Sequence, residues 1–169
     1  PAIKVEIEKK LFSGSGSSDQ PLGIYNTTGI ALKTFGAALP TYAELVDMIE
    51  LLADANGGLT AARFLVHLSG MTGLLKQQVT SGDGYSTLSF VGNGYRIGGL
   101  PVFATTAATE GKVLLADMNA ITLLFYGPPQ LIVDPFSNGK STTGQTELIV
   151  QNYVDSLIRD RSLVVVGSA

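Results

Sequence analysis

His67 is the only histidine in the chain, and acid–base or nucleophilic chemistry near neutral pH would draw on it first. It lies inside the apolar run Phe64-Leu65-Val66-His67-Leu68, two residues before Ser69. A Ser-His-Asp arrangement could be assembled from Ser69, His67 and a distant Asp, but no G-x-S-x-G elbow frames a serine and nothing else suggests an oxyanion hole. These residue types favour a histidine satisfied within a core or an interface. The remaining enzymatic alternative is a hydrolase or ligand-binding domain using His67 and the loop from Thr80 to Tyr85.

Two glycine motifs invite a phosphate reading and fail it. Gly139-Lys140-Ser141 matches the end of G-x-x-x-x-G-K-[ST], yet the first glycine position holds Asp134, followed by Pro135. The backbone cradle of amides cannot form there, and Ser137 to Gly144 reads as a solvated turn. Gly92-Asn93-Gly94-Tyr95-Arg96-Ile97 places Ile where a dinucleotide fingerprint needs its third glycine, and reads as a hairpin turn. Asp and Glu residues are scattered singly, and there is no cysteine, so neither a carboxylate pair nor a thiolate metal site declares itself. Asn26-Thr27-Thr28 matches a glycosylation sequon without a secretion signal to give it relevance. No catalytic, cofactor-binding or metal-binding residue is assigned, and no cofactor is expected.

The elements that would have to position any site centre on Arg96 to Phe136. Leu100 to Phe103, Val113 to Leu115, Ile121 to Tyr126 and Leu131 to Val133 are apolar runs divided by Gly, Pro and small polar residues, the punctuation of strands and turns. Upstream, Ile3 to Phe12 fits a helix better than a strand, and Ser13 to Asp19 ends it, with Gly14 available as a left-handed cap. By composition this segment passes for a flexible linker; the alternative is a tight ordered turn leading into Pro21-Leu22-Gly23-Ile24. Thr41-Tyr42-Ala43-Glu44 is a capping box that starts a helix with Leu45, Val46, Ile49, Leu52 and Ala53 on one face, stopped by Asn56-Gly57-Gly58. Phe64 to Leu68 reads as a buried strand, and Ser69 can cap a short helix through Gln78 that turns Met71, Leu74 and Leu75 inward. Val79 to Tyr85 is a loop, and Leu88 to Val91 enters a hairpin. Glu147 to Ile158 reads as one strand and Leu163 to Val166 as the last. Tyr25, Phe35, Tyr85, Tyr126 and Phe136, near turns, are either interface anchors or ordinary core.

Composition bounds the function classes. With 45% apolar and 15% charged residues and a net charge of -3, the chain can bury a core and lacks the basic face of a dedicated nucleic-acid reader. The absence of cysteine fits an intracellular origin. No eighteen-residue apolar run and no signal-peptide pattern occurs, so no membrane partner is expected. The chain opens at Pro1 and enters an amphipathic segment at once, the pattern expected of a fragment.

The order of features resembles the C-terminal half of tailed-phage major capsid proteins of the Hong Kong 97 type. Leu11-Phe12-Ser13-Gly14-Ser15-Gly16 with Pro21-Leu22-Gly23-Ile24 is similar to the family's L-x-G-x-G turn and P-x-G-[IL]. The helix from Thr41 follows, then Phe64 to Ser69 with Leu74-Leu75-Lys76. Ile97-Gly98-Gly99-Leu100-Pro101-Val102 resembles L-x-G-x-P-V, Gly111 to Asp117 resembles G-x-x-x-x-G-D-F, and a strand ends at Asp134-Pro135-Phe136. His67-Leu68-Ser69 departs from the usual Asn-Pro, Ala116 stands where Gly is common, and Met118 replaces an aromatic. The strand from Glu147 shows no counterpart of the glutamate that catalyses covalent cross-linking in some members, so no cross-linking residue is carried over.

The resemblance implies an α+β fold, with a central mixed sheet of the axial domain flanked by helices and strands of a peripheral domain. It places residues 33–130 with a returning strand at 162–167 in the axial domain, and 1–32 and 131–161 in the peripheral domain. It implies a non-enzymatic shell subunit in the virion, assembled in the bacterial cytoplasm. Its partners would be copies of itself in pentamers and hexamers, scaffold or maturation protease, and packaged double-stranded DNA held without specificity. An encapsulin-like nanocompartment shell is the alternative on the same fold.

Overall fold

A computed structural model describes residues 2–17, 20–79, 85–92, 94–134 and 146–169. The chain divides into two compact units, residues 1–122 with 156–169, and residues 123–155.

The first unit is built on a seven-stranded mixed sheet. Its strands are β1 (Ala31–Thr34), β2 (Ala62–His67), β3 (Ser89–Val91), β4 (Gly94–Ile97), β5 (Leu100–Thr105), β6 (Lys112–Asp117) and, from the C-terminus, β11 (Val164–Ser168), in the order β1-β11-β6-β2-β5-β4-β3. β1 runs parallel to β11 and β2 parallel to β5, whereas β6 is antiparallel to both its neighbours. Register explains why the central strands are almost uninterrupted apolar runs. Phe64 pairs with Val102 on one side and Leu115 on the other, and Leu115 pairs with Val165. This row faces one core. The alternate row, Leu65, Leu114 and Val166, faces a second. A sheet covered on both faces has no polar face to alternate with.

Helices supply the two covers. α2 (Tyr42–Asp54) and α3 (Leu68–Lys76) bring Leu45, Met48, Leu52 and Leu74 to the first core, all at 1% exposure or less. α1 (Ala2–Ser13) and the short 3₁₀ turn Ile24–Asn26 bring Phe12, Ile24 and Tyr25 to the second. The buried face of α2 is rotated from the expected one, because Met48 is fully buried while Val46 and Ala53 are exposed. α2 stops with Asn56 in the left-handed region (φ 59°) and the Gly57 amide bonded to Leu52 O, at 3.0 Å.

The expected capping box is present, and it reaches further than its own helix. The Thr41 hydroxyl accepts from the Glu44 amide at 3.3 Å, and Glu44 Oε2 accepts from the Thr41 amide at 2.7 Å. Glu44 Oε1 also accepts from the Gly36 amide at 2.7 Å, tying the end of β1 to α2, and Lys33 Nζ meets Asp47 Oδ2 at 2.5 Å alongside. Donation from the Thr41 amide first, then from Gly36, holds the Glu44 carboxyl below its ordinary value.

The glycine-rich turn after α1 is ordered over its described part, and Ser18 and Asp19 lie outside the described residues. Gly14 is not its left-handed residue; that role falls to Gly16, with φ 72°. Gly14 and Gly23 instead let two backbone segments touch, with the Gly23 amide bonded to Gly14 O at 2.9 Å and the Gly14 amide to Lys10 O at 2.8 Å. A Cβ on Gly23 would sit 2.6 Å from Phe12 O, inside main chain that cannot swing away. Asn26 of the sequon completes the knot, donating through Nδ2 to Ser13 O and Gly14 O at 3.1 and 2.8 Å, so its amide serves the fold.

The structure also settles one open alternative and overturns one expectation. Tyr25 and Phe35 are core residues at 9% and 4% exposure. Tyr25 stacks on Phe12 at 5.6 Å with Lys112 Nζ 5.0 Å from its ring, and burial pushes its phenol up to about 12 against a smaller opposing effect of the Thr109 backbone. Phe35 lies over Gly167, where a Cβ would strike its ring. The segment Glu147 to Ile158 is not one strand but two, β9 (Glu147–Gln151) and β10 (Val154–Ile158), broken at Asn152-Tyr153 and belonging to different sheets. β10 pairs with β7 (Ile121–Phe125), and β9 pairs with β8 (Gln130–Asp134).

Gly23→Ala is expected to lower unfolding free energy by about 3 kcal/mol, the upper range for overpacking. Gly70→Ala, in α3 with open space around the added methyl, is expected to raise it by about 0.5–1 kcal/mol through helix propensity; urea unfolding of both variants checks the pair. Because Glu44 is lowered in the folded state, its contribution is present at neutral pH and is lost as pH falls from about 4.3 through the folded value. Glu44→Gln should therefore flatten the acid limb of stability against pH.

Candidate subunit-contact surface

His67, the first candidate for chemistry, closes β2 and caps α3. Its Nδ1 accepts from the Ser69 amide at 3.2 Å, so His67 rather than Ser69 is the cap, and α3 ends at Lys76. The fold does bring a hydroxyl and a carboxylate to it. Ser69 Oγ lies 2.6 Å from Nδ1, and Glu110 Oε1 lies 3.4 Å from the same nitrogen and 3.3 Å from Ser69 Oγ. A proton relay needs the serine and the carboxylate on opposite ring nitrogens. Here both crowd one nitrogen, and the Ser69 amide points at the ring rather than at a position for a developing oxyanion. The arrangement suits a helix cap and not a nucleophile.

Gly139-Lys140-Ser141, Pro135, Phe136 and the residues from Thr80 to Gly84 lie outside the described residues, as does Asn93. Gly92 and Gly94 lie at a strand-to-strand hairpin, with β3 and β4 pairing Phe90 to Tyr95 and Val91 to Gly94; a dinucleotide fingerprint needs a helix there. Gly98 and Gly99, with φ 55° and 83°, form the next two-residue turn, as two left-handed positions between β4 and β5 require. Asp117 is buried because its Oδ1 caps the 3₁₀ turn Met118–Ala120 through the Asn119 amide at 2.9 Å. Among the described residues, no group of three His, Cys, Asp or Glu side chains could hold a metal, and no helix is long and apolar enough to cross a membrane.

Exposed apolar surface is where the described residues depart from an ordinary monomer. In the second unit, β8 and β9 form a two-stranded antiparallel ribbon pairing Leu131 with Val150, Ile132 with Ile149 and Val133 with Leu148. Alternation puts Leu131, Val133, Leu148 and Val150 on one face, and the Ile132–Ile149 pair on the other, between Gln130–Gln151 and Asp134–Glu147. All six aliphatic side chains are exposed, Leu131 and Leu148 by about two thirds (63% and 65%). A lone two-stranded ribbon is marginal in water, and an apolar one needs a cover.

The first unit adds apolar groups at the sheet's edges. Leu32 on edge strand β1 is 72% exposed, and Phe90 on edge strand β3 is 67% exposed, set edge-on to Tyr95 at 5.2 Å. Of the aromatics near turns, Tyr85 and Tyr126 are exposed. Phe90 is legible in the sequence only as part of a strand, because alternation along a three-residue hairpin strand does not tell which side meets a core.

A family model described as the phage capsid family matches residues 1–169. The chain belongs to the phage capsid family. Among solved structures it is similar to the capsid of an empty GTA particle, with 17% identity and a TM-score of 0.72, covering 99% of this chain and 62% of that one. It is similar to the capsid of Myoviridae phage XM1, with 12% identity and a TM-score of 0.65, covering 97% and 60%. It also resembles the SrpI encapsulin of Synechococcus elongatus, with 15% identity and a TM-score of 0.65, covering 99% and 61%. The chain thus spans about three fifths of the length of these shell proteins. Among curated proteins nothing matches. The expected α+β capsid fold is borne out, and the residues resembling L-x-G-x-G and P-x-G form the backbone crossing at Gly14 and Gly23.

Replacing Leu131 and Leu148 together with Ser is expected to change the unfolding free energy by less than about 0.5 kcal/mol, as for exposed sites, while clearly reducing binding of an apolar-surface dye. Unfolding and dye titration of the same samples check this.

Proposed function

We propose that this chain is the C-terminal portion of a major capsid protein, a structural subunit that self-assembles into pentamers and hexamers of an icosahedral phage head around double-stranded DNA. The observation that carries the proposal is the family match over all 169 residues. The apolar ribbon supports it, because such a surface suits a subunit completed by its neighbours. In this reading residues 33–130, with the returning strand at 162–167, make the axial domain around the capsomer centre, and residues 1–32 and 131–161 belong to the peripheral domain.

The mechanism is assembly and containment. A patch of a few aliphatic side chains falls short of the roughly 800 Å² per partner that a specific interface buries. Many such contacts, repeated over a closed symmetric shell, sum to a particle that resists the pressure of its contents. The subunit acts without catalysis, its role being structural. The net charge of -3 suits an inner wall that holds the genome by weak, non-specific contact. The particle is the virion capsid, assembled in the host cytoplasm, with a scaffold or maturation protease as further partners.

Electron microscopy of the full-length protein under assembly conditions is expected to show closed icosahedral shells; monomers and small oligomers alone would overturn the proposal. The likeness to an encapsulin supports a second reading, a protein nanocompartment. Shells that enclose a cargo enzyme in place of DNA would decide for it.

A further inference from the structure

We infer that His67 is a proton-operated switch on the N-terminus of α3, which exchanges the helix cap for a cross-link to the turn between β5 and β6. This inference goes beyond shell assembly and does not rest on it.

Three groups converge on one nitrogen. The Ser69 amide lies 3.2 Å from His67 Nδ1, Ser69 Oγ 2.6 Å and Glu110 Oε1 3.4 Å, while Ser69 Oγ is also 3.3 Å from Glu110 Oε1. A neutral imidazole protonated on Nε2 has a single lone pair at Nδ1, which accepts from both the Ser69 hydroxyl at 2.6 Å and the Ser69 amide at 3.2 Å, capping the helix and leaving the hydroxyl no hydrogen for Glu110. Uptake of one proton from solvent turns Nδ1 into a donor. The amide then loses its acceptor. The acceptors within reach of Nδ1–H are Ser69 Oγ and Glu110 Oε1, and the serine hydroxyl, now accepting from Nδ1–H, turns its own hydrogen to donate to the same carboxylate. The acid form is a chain from imidazolium through Ser69 to Glu110, joining the start of α3 to the turn before β6. The neutral form is a capped helix without that link.

The surrounding charges set the balance. The positive end of α3 opposes an imidazolium, and the Glu110 carboxylate favours it. Lys112 lines the same hollow but carries its ammonium to the Tyr25 ring, 5.0 Å away, and Leu39, Pro40 and Gly70 close the rest with uncharged groups. From β5 the cross-strand neighbour of His67 is Thr105, whose hydroxyl lies 3.4 Å from Glu8 Oε2 on α1. The His67 side chain retains 17% exposure, enough for exchange with solvent.

The test is hydrogen–deuterium exchange by mass spectrometry on the full protein at about pH 7.5 and about pH 5.5, on either side of the ordinary imidazole value, corrected for the intrinsic pH dependence of exchange. On acidification, peptides covering Leu68 to Thr72 should lose protection roughly fivefold, the size of a lost cap, while peptides covering Ala107 to Lys112 gain it. His67→Asn, which keeps a capping side chain without a titrating ring, should abolish both changes. Glu110→Gln, an exposed substitution that leaves the cap intact, should abolish the gain and keep the loss. A parent protein whose α3 protection is unchanged between the two conditions overturns the inference, as does a His67→Asn variant that responds like the parent. Persistence of the gain in Glu110→Gln overturns the cross-link.

Discussion

Burial of β6 on both faces is the constraint on which the rest of the structure depends. Five of its six residues, Val113 to Asp117, are buried, and the side chains of Val113 and Leu115 enter one core while Leu114 and Ala116 enter the other. A strand in this position must be flanked by strands on both edges and roofed on both faces. β2 and β11 provide the first condition, and the second assigns α2 and α3 to one side and α1 with its glycine turn to the other. Ala116 fits the same logic. Where a glycine would leave the second core short of a methyl, alanine at 0% exposure contributes one beside Val164.

The second roof is the more exacting because it is short. α1 covers the sheet only if the chain doubles back within a few residues to present Ile24 and Tyr25, and two glycines permit that return by letting backbone meet backbone. Their value lies in absent side-chain volume, not in unusual dihedrals. Here the described residues of a Gly-Ser-rich stretch with the composition of a linker are part of the packed structure, held by main-chain hydrogen bonds and the Asn26 amide.

The same chain treats its apolar residues in opposite ways. In the first unit they close two cores, and in the second they stand on a ribbon with polar groups confined to one face. Leu131-Ile132-Val133 and Leu148-Ile149-Val150 are as apolar as Val113-Leu114-Leu115, yet only the latter find cover within their own unit. Apolar strand runs separated by Gly and Pro are thus compatible with both a core and a surface awaiting a neighbour. That ambiguity leaves Tyr25 and Phe35 open between interface anchor and core, and hides Phe90 among ordinary strand residues.

By itself the sequence determined the capping box at Thr41 and Glu44, the hairpin turn around Gly92 and Gly94, the apolar central strands, and the family pattern of glycine and proline landmarks. These are encoded by neighbours a few residues apart, through turn dihedrals, cap hydrogen bonds and periodicity. Only the tertiary structure decided what depends on residues far apart in the chain. It split Glu147 to Ile158 between two sheets, since a break at Asn152-Tyr153 carries no glycine or proline to announce it. It made His67 rather than Ser69 the cap of α3 by fixing the ring where β2 ends. It also brought Glu110 from the β5–β6 turn to the same nitrogen, because β2 lies between β5 and β6 in the sheet.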